Sequence, residues 1–328
     1  MSRKNGLSVA CVVDEDMLRK IKAADASHNR SRYDISVVQA LRGICREVHL
    51  VGAFEESSRT IDELTRLQPD VVFNLAFSAL PLEASFAGCL DVLGIPYTGS
   101  GPRGITLAND KIRSRHLLRS AGIRVPRFVE LLPGRPITLN LEPPFIVKPA
   151  SLASSAGIYA DSVVTSSKDV SRLARRIWHR FKVPAMCDEF VVGREFRIGM
   201  IEGAREVFSV VGISEWKFGL AAPGWGFKTE AIRLNRKVRQ ARQVTRRLAP
   251  LSDQEFRKLA AVARRAVKAL DIRGYATVDV RMDEQQRVTV LEVNANPGLW
   301  SGSAIWSNPS FEVNIRRILN LSLRRRES

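Results

Sequence analysis

The chain has 328 residues, 45% of them hydrophobic, enough to build two or three subdomains with cores of their own. It carries 51 Lys and Arg against 34 Asp and Glu, a net charge of +17. No apolar run reaches the roughly 18 residues of a membrane-spanning helix, and the opening MSRKNGLSVACVVDED lacks the long apolar region and cleavage site of a secretory signal, so a cytoplasmic location is expected.

In chain order, Leu7–Val13, Glu47–Ala53 and Asp70–Ala76 read as apolar strands. Tyr33–Ile44, Thr60–Leu67 and Glu83–Leu93 read as helices after them. That alternation predicts a small parallel sheet wrapped by helices, with ligands at the carboxyl ends of its strands. Asp14, Glu15 and Asp16 follow the first strand and precede a basic, polar stretch, Arg19–Arg32. They are either solvated acids at a helix start, the favoured reading, or ligands for a substrate amine.

Ile95–Gly101 (IPYTGSG) is a turn-rich exit, and a helix opens near Asn109-Asp110-Lys111. Val125–Leu131 is the next strand, and Phe145–Lys148 is a short buried one ending in a lysine. Ser151–Gly157 (SLASSAG) is a loop of small residues, followed by Ile158–Val164 as a strand and Lys168–Phe181 as an amphipathic helix. Ala185–Val192 and Arg194–Glu202 complete what reads as one compact antiparallel unit. Lys217–Pro250 reads as a flexible stretch rich in arginine. Ser252–Asp271 is a long helix with Ser252 as N-cap and Glu255 in a capping box, and Phe311–Leu323 is a closing helix.

The most informative segments are Gly274–Asp283 and Val288–Gly298, each a buried strand with polar groups at fixed points. Asp279 lies in the first; Glu292 and Asn294 share one face of the second. These three offer only oxygen ligands, the preference of a hard Mg²⁺ ion carrying nucleotide phosphates. Two buried carboxylates without a cation would repel, so a purely structural role needs a neutralising partner. Lys148 and the following loop suit phosphate oxygens, the lysine by charge and the loop by close backbone N–H groups. Taken alone the loop is as readily a simple turn, Lys111 an ordinary helix lysine, and Glu195 a surface glutamate. In Asp188–Glu195, backbone groups of Glu189 and Val191 suit an adenine edge, and the Glu195 carboxylate suits ribose hydroxyls.

Cys11, Cys45, Cys89 and Cys187 are scattered without a CxxC pair and read as reduced core residues. His28, His49, His116 and His179 lack metal-ligand spacing. Much of the positive charge sits at helical spacing among apolar residues, as in 255–270, which indicates a solvated helix face. No zinc knuckle or aromatic stacking pattern accompanies it, so nucleic-acid binding is not expected.

The order IPYTGSG with DK, then FIVKP with SS and G, then EFVVGREF, then D-x12-E-x-N-x-N-P-G resembles the ATP-grasp superfamily. Within it, the chain resembles the D-alanine–D-alanine ligases and their carboxylate–amine ligase relatives, over about Asp70 to Ser303. The resemblance implies an α/β (α+β) ATP-grasp fold with a Rossmann-like parallel-sheet subdomain over 1–108, a central subdomain with the phosphate-covering loop over 109–184, and a C-terminal subdomain with the Mg²⁺ site over 185–328. It implies ATP and Mg²⁺ (or Mn²⁺) as cofactors, small amino-acid-like substrates, no membrane partner, and compatibility with a homodimer. By position, Lys111 and Lys148 would bind ATP phosphates, with Ser154 and Ser155 in the covering loop. Glu189 and Val191 would meet adenine, Glu195 ribose, and Asp279, Glu292 and Asn294 the metal. Gly298 would offer its N–H to a developing oxyanion, with Lys228 on a mobile lid, and Ser303, Glu83 and Glu15 would bind substrate.

Two positions depart from the family. Thr277 stands where an arginine precedes the first metal-binding aspartate, and loss of such a charged donor costs about 3–4 kcal/mol. The Gly-Gly-x-Ser-x-Glu signature after the first strand is absent, since Val12–Asp16 leads only into the basic Arg19–Arg32 stretch. The sequence therefore predicts an ATP-dependent carboxylate–amine ligase acting through an acyl phosphate on substrates other than two D-alanines. The alternatives are a D-alanine–D-alanine ligase with divergent loops and a degenerate nucleotide-binding protein.

Overall fold

The computed structural model describes residues 5–27, 34–53, 57–76, 82–152, 155–220, 225–301, 303–306 and 308–324. Among these, the strands form three sheets. The first is parallel, ordered β2-β1-β3, from β1 (Asn5–Asp14), β2 (Cys45–Ala53) and β3 (Val71–Asn74). Residues Val9 to Val13 are wholly buried because both faces of β1 are covered. Val9, Cys11 and Val13 pack with α1 (Glu15–Ser27), α2 (Asp34–Ile44) and the last helix, while Ala10 and Val12 pack with α3 (Ser57–Leu67) and α4 (Leu82–Leu93).

The helix start favoured for Asp14, Glu15 and Asp16 is present, and α1 runs on into the basic stretch after β1. Leu18 and Ile21 of α1 lie three residues apart and are buried, and Asp14 caps the turn by accepting the Met17 N–H at 2.8 Å. Cys11, Cys45 and Cys187 are buried as expected, but Cys89 is exposed because it lies on the outer side of α4. No helix among the described residues is long and apolar enough to cross a membrane.

After α5 (Pro102–Asn109) and α6 (Lys111–Ser120), a second sheet runs β4-β7-β5-β6 from β4 (Phe128–Leu131), β5 (Phe145–Pro149), β6 (Val163–Val164) and β7 (Ala185–Glu189). It is covered by α7 (Ser167–Phe181), whose Val170, Leu173, Ala174 and Ile177 face it. The strand expected over Ile158–Val164 shrinks to two residues. Ile158 N–H bonds Ser155 C=O and Ser162 N–H bonds Tyr159 C=O, so turns use these groups instead.

The third sheet, β10-β9-β8-β11-β12, is antiparallel. It comprises β8 (Arg194–Glu202), β9 (Phe208–Phe218), β10 (Val244–Leu248), β11 (Tyr275–Met282) and β12 (Val288–Asn294). The expected single unit of Ala185–Val192 and Arg194–Glu202 is thus divided between two sheets. Gly193 makes the switch at φ +145°, a conformation favouring glycine, where an added Cβ would lie 2.4 Å from Met282 O. The stretch Lys217–Pro250 is also more ordered than expected. It contains α8 (Glu230–Leu234), capped by Thr229, α9 (Arg236–Ala241), capped by Asn235, and β10. The capping box of α10 (Asp253–Ala269) is present, and α11 (Phe311–Arg324) packs against α2 and β3.

Alternation divides the third sheet's faces. Ala276, Val278, Val280 and Met282 of β11 meet Leu259, Ala263 and Val267 of α10. Tyr275, Thr277, Asp279 and Arg281 face the other way. On that face Gly199 and Gly212 oppose each other across β8 and β9 and leave a notch for Ile305. A Cβ at Gly212 would lie 2.7 Å from Ile305 Cα. The notch fixes the segment after β12, which carries Gly298 and Ser303.

Candidate active site

The polar face of the third sheet forms the floor. Asp279 sits directly opposite Arg197 on one side and Glu292 on the other. Arg197 grips Asp279 with two hydrogen bonds, Nε to Oδ1 at 2.7 Å and Nη2 to Oδ2 at 2.5 Å. Burial alone would raise the Asp279 carboxyl, but Arg197, Lys228 and Arg246 outweigh it and hold it below the usual range. Burial likewise acts to raise Glu292, and Lys111, Lys148 and Lys228 bring it below its usual value despite Asp279 beside it. Asn294 opposes Thr277, and both keep a buried polar atom, Asn294 Nδ2 and Thr277 Oγ1, without a hydrogen-bond partner.

The predicted phosphate lysines converge on this floor. Lys111 opens α6, with Asp110 as N-cap, and its Nζ lies 3.3 Å from Glu292 Oε1. Lys148 Nζ lies 3.0 Å from Asp188 Oδ2. Burial lowers the Lys148 pKa, Asp188 opposes that shift, and Arg115 and Lys111 add to it. Asp188 is also held by Arg115 at 3.0 and 2.9 Å, with both side chains buried. The sequence reading gave Arg115 no role. Its position four residues after Lys111, on the same side of α6, is the signal that was available.

Lys228 reaches the floor from the segment before α8, its Nζ 5.4 Å from the Trp216 ring centre. Burial and the Arg197 guanidinium pull its pKa down to about 8. Two residues on, Glu230 accepts the Gly157 N–H at 2.7 Å, and its own N–H donates to Ile158 O at 2.8 Å. The segment that bears Lys228 is thereby fastened to the small-residue loop. Ser155 lies in that loop; Ser154 is outside the described residues.

The proposed base and ribose groups are partly engaged within the protein. Glu195 accepts from Arg281 at 2.7 and 3.1 Å, and Val191 C=O accepts from Arg281 at 2.7 Å. Glu189 N–H donates to Arg127 O and its carboxylate accepts the Glu142 N–H. Phe190 stacks on Trp225 at 5.6 Å, with Arg281 on the Phe190 ring at 4.7 Å.

Ser303 is buried beside Trp300, to whose carbonyl its N–H donates at 3.0 Å, and Gly298 C=O accepts the Trp306 indole N–H at 3.1 Å. Glu83 is buried and accepts from Asn296 Nδ2 at 3.0 Å, while Asn296 Oδ1 accepts the Ser100 N–H at 2.8 Å. Burial raises the Glu83 pKa against the Asn296 and Asn109 hydrogen bonds. Its contacts position the Asn296–Gly298 turn. Glu15 is exposed in the first turn of α1.

The family model "D-ala D-ala ligase C-terminus" matches residues 117–308. The D-alanine–D-alanine ligase of Chromohalobacter salexigens is 31% identical over 278 residues, 81% of this chain and 82% of that one. The chain belongs to the D-alanine–D-alanine ligase family. It is an ATP-dependent ligase that forms a carbon–nitrogen bond. The ligase of Haemophilus ducreyi is 26% identical over 88% of this chain and 91% of its own. An uncharacterized protein of Sinorhizobium fredii, y4sG, is 29% identical over 88% of this chain and 87% of its own. The D-alanine–D-alanine ligase of Bacillus anthracis, solved with ATP, superposes with a TM-score of 0.73 and 18% identity over 99% of each chain, which establishes the ATP-grasp fold.

Within this ligase, among the described residues no cluster of three or more His, Cys, Asp and Glu side chains suits a metal. The candidate set is instead two adjacent carboxylates and one amide. All offer oxygen, Asn294 through Oδ1, while Lys111 and Arg197 already supply the neutralising partners that the two acids need without a metal. That set fits a hard divalent ion. Thr277 is 1% exposed and brings no charge to the position where the family has arginine.

Proposed function

We propose that this ligase joins two D-alanines. The expectation of other substrates rested on Thr277 and the missing signature after β1. The curated ligase relatives favour D-alanine instead, and neither departure removes a group from the acid and lysine constellation. D-alanine itself rests on those relatives, and the observation that supports ATP-dependent ligation is the Asp279–Glu292 pair, side by side across β11 and β12 beneath Lys111 and Lys228.

In this reading a carboxylate oxygen of the first D-alanine attacks the γ-phosphorus of ATP and ADP leaves. The amine of the second attacks the acyl-phosphate carbon, expelling phosphate and losing a proton. Asp279, Glu292 and Asn294 would hold Mg²⁺, which neutralises phosphate charge. Lys111 and Lys148 hold the phosphates, and their buried positions keep water from screening them. Lys228 brings a third cation once the lid is seated, and the Glu230–Gly157 fastening shields the acyl phosphate from water. Gly298 N–H meets the oxyanion formed when the amine adds. The Arg197 bond keeps Asp279 ionised and oriented.

The test is ADP release with Mg²⁺-ATP and D-alanine alone, with products identified by mass. D-alanyl-D-alanine formed in step with ADP is the expected result. ADP release that requires a different amino-acid pair would restore the reading drawn from Thr277.

A further inference from the structure

Arg281 lies on β11 two residues past Asp279, on the same face of the third sheet, and is buried. Its guanidinium joins β8, the crossover before it and the segment that bears Lys228. Nε and Nη2 donate to Glu195 Oε2 at 3.1 and 2.7 Å. Nη1 donates to the Val191 carbonyl at 2.7 Å, beside the Gly193 crossover between the second and third sheets. Nη2 also donates to the carbonyl of Gly226, two residues before Lys228. The guanidinium packs on the Phe190 ring at 4.7 Å, and that ring meets Trp225 at 5.6 Å and Phe227 at 6.1 Å, the residues that flank Gly226.

Two details of these contacts bear on a bound nucleotide. Both bonds to Glu195 end on Oε2, and among the described residues Oε1 takes none, although the side chain is only 13% exposed. One oxygen is therefore fixed and the other is left to accept hydroxyl groups. Gly226 runs so close to β9 that an added Cβ would lie 2.2 Å from Phe218 Cβ. The segment thus packs closely on β9 and is tied to Arg281 through its carbonyl. Removing the guanidinium would release Glu195 and this segment together, since its donors bond both.

We propose that Arg281 is a positioning residue for the nucleotide: it fixes Glu195 so that Oε1 meets the ribose hydroxyls, and it holds the segment that bears Lys228 against the same pocket. This rests on the nucleotide side of the ligase reading, in which Glu195 meets ribose and Lys228 the phosphates. One guanidinium then couples sugar recognition on β8 to the placement of the third phosphate cation. Loss of Arg281 loosens both, whereas loss of the Glu195 carboxylate affects the sugar alone.

The experiment measures by calorimetry the binding of Mg²⁺-ATP, of its two deoxy analogues, each lacking one ribose hydroxyl, and of Mg²⁺-tripolyphosphate. The proteins are the wild type, Arg281→Met, Arg281→Lys and Glu195→Gln. The wild type is expected to favour ATP over at least one deoxy analogue by roughly 10- to 100-fold, the worth of one charge-assisted contact. Arg281→Met, which keeps the length and the apolar contact with Phe190, is expected to bring that ratio to about one and to weaken tripolyphosphate as well. Arg281→Lys retains the charge without the planar fork and should lose most of the ratio, which separates geometry from charge. Glu195→Gln is expected to lower the ratio and leave tripolyphosphate binding near the wild type. If both Arg281 variants weaken ATP and its deoxy analogues equally, or leave tripolyphosphate binding unchanged, Arg281 is only a packing group and the proposal falls. It falls too if the wild type binds all three nucleotides alike. Dipeptide formation from D-alanine is assayed in parallel, and discrimination without dipeptide overturns the ligase reading alone.

Discussion

Glu230 on α8 accepts the backbone N–H of Gly157 at 2.7 Å, joining the segment that bears Lys228 to the small-residue loop. The Glu230 N–H bonds Ile158 O as well, so carboxylate and backbone hold the same turn. A lid fixed at its tip excludes water from an acyl phosphate, whose hydrolysis would waste ATP. Glu230→Ala is expected to raise the KM for ATP roughly tenfold, the loss of one charge-assisted hydrogen bond. It should also release ADP in excess of dipeptide. A ratio of ADP to dipeptide that stays at the wild-type value would show that this contact does not seal the site.

Glu292→Gln keeps the side chain's size and removes its charge. Lys111 Nζ loses its carboxylate neighbour at 3.3 Å but retains the Leu152 carbonyl. Turnover is expected to fall by roughly 10²- to 10³-fold, as for loss of one preorganised charged group. The thermal midpoint should stay near the wild type, because removing a like charge beside Asp279 offsets the weakened Lys111 contact. Normal turnover would remove Glu292 from the catalytic constellation.

The strands bearing Asp279, Glu292 and Asn294 were legible because period-two burial with polar interruptions survives in the sequence. The first sheet was legible because β1 is apolar on both faces. The link between Glu230 and Gly157 was not, since residues 73 positions apart meet only through the fold. The partners of Arg197 and Arg281 were not legible either, because they depend on the β8–β11 register, which pairs Arg197 with Asp279 and Glu195 with Arg281. The start of α1 was legible in its acids, but its extent was hidden by polar composition, since Leu18 and Ile21 are the buried residues that mark its inner face. The strand β10 was hidden by its arginines, which an edge strand tolerates.

Asp188 serves two cations at once, Arg115 through both oxygens and Lys148 at 3.0 Å. The two ends of this arrangement should respond unequally to mutation. Asp188→Leu strands two buried positive charges and is expected to cost about 3–5 kcal/mol in unfolding free energy. Arg115→Leu leaves Asp188 paired with Lys148 and is expected to cost distinctly less. Urea unfolding of the two variants measures the difference. Equal costs would mean that Lys148 does not neutralise Asp188 in the folded protein.

Lys228 titrates near 8 in the folded chain against an ordinary 10.5, depressed by burial and by Arg197, with Asp279, Glu195 and Glu292 opposing. The unfolded chain therefore binds this proton more tightly than the folded one. Between about pH 8 and 10.5 unfolding takes up a proton, so this lysine's contribution makes stability rise with pH across that window and adds no slope below it. Nucleotide phosphates favour the charged form and push the pKa back up. ATP binding at pH 8.5 should thus take up as much as about one proton, and affinity should fall as pH rises above 8. Calorimetry in buffers of different ionisation enthalpy measures the uptake directly. Lys228→Met is expected to abolish both the uptake and, with metal chelated and nucleotide absent, this part of the stability slope. The same proton uptake in Lys228→Met would assign the titration to another group and leave Lys228 outside the phosphate site.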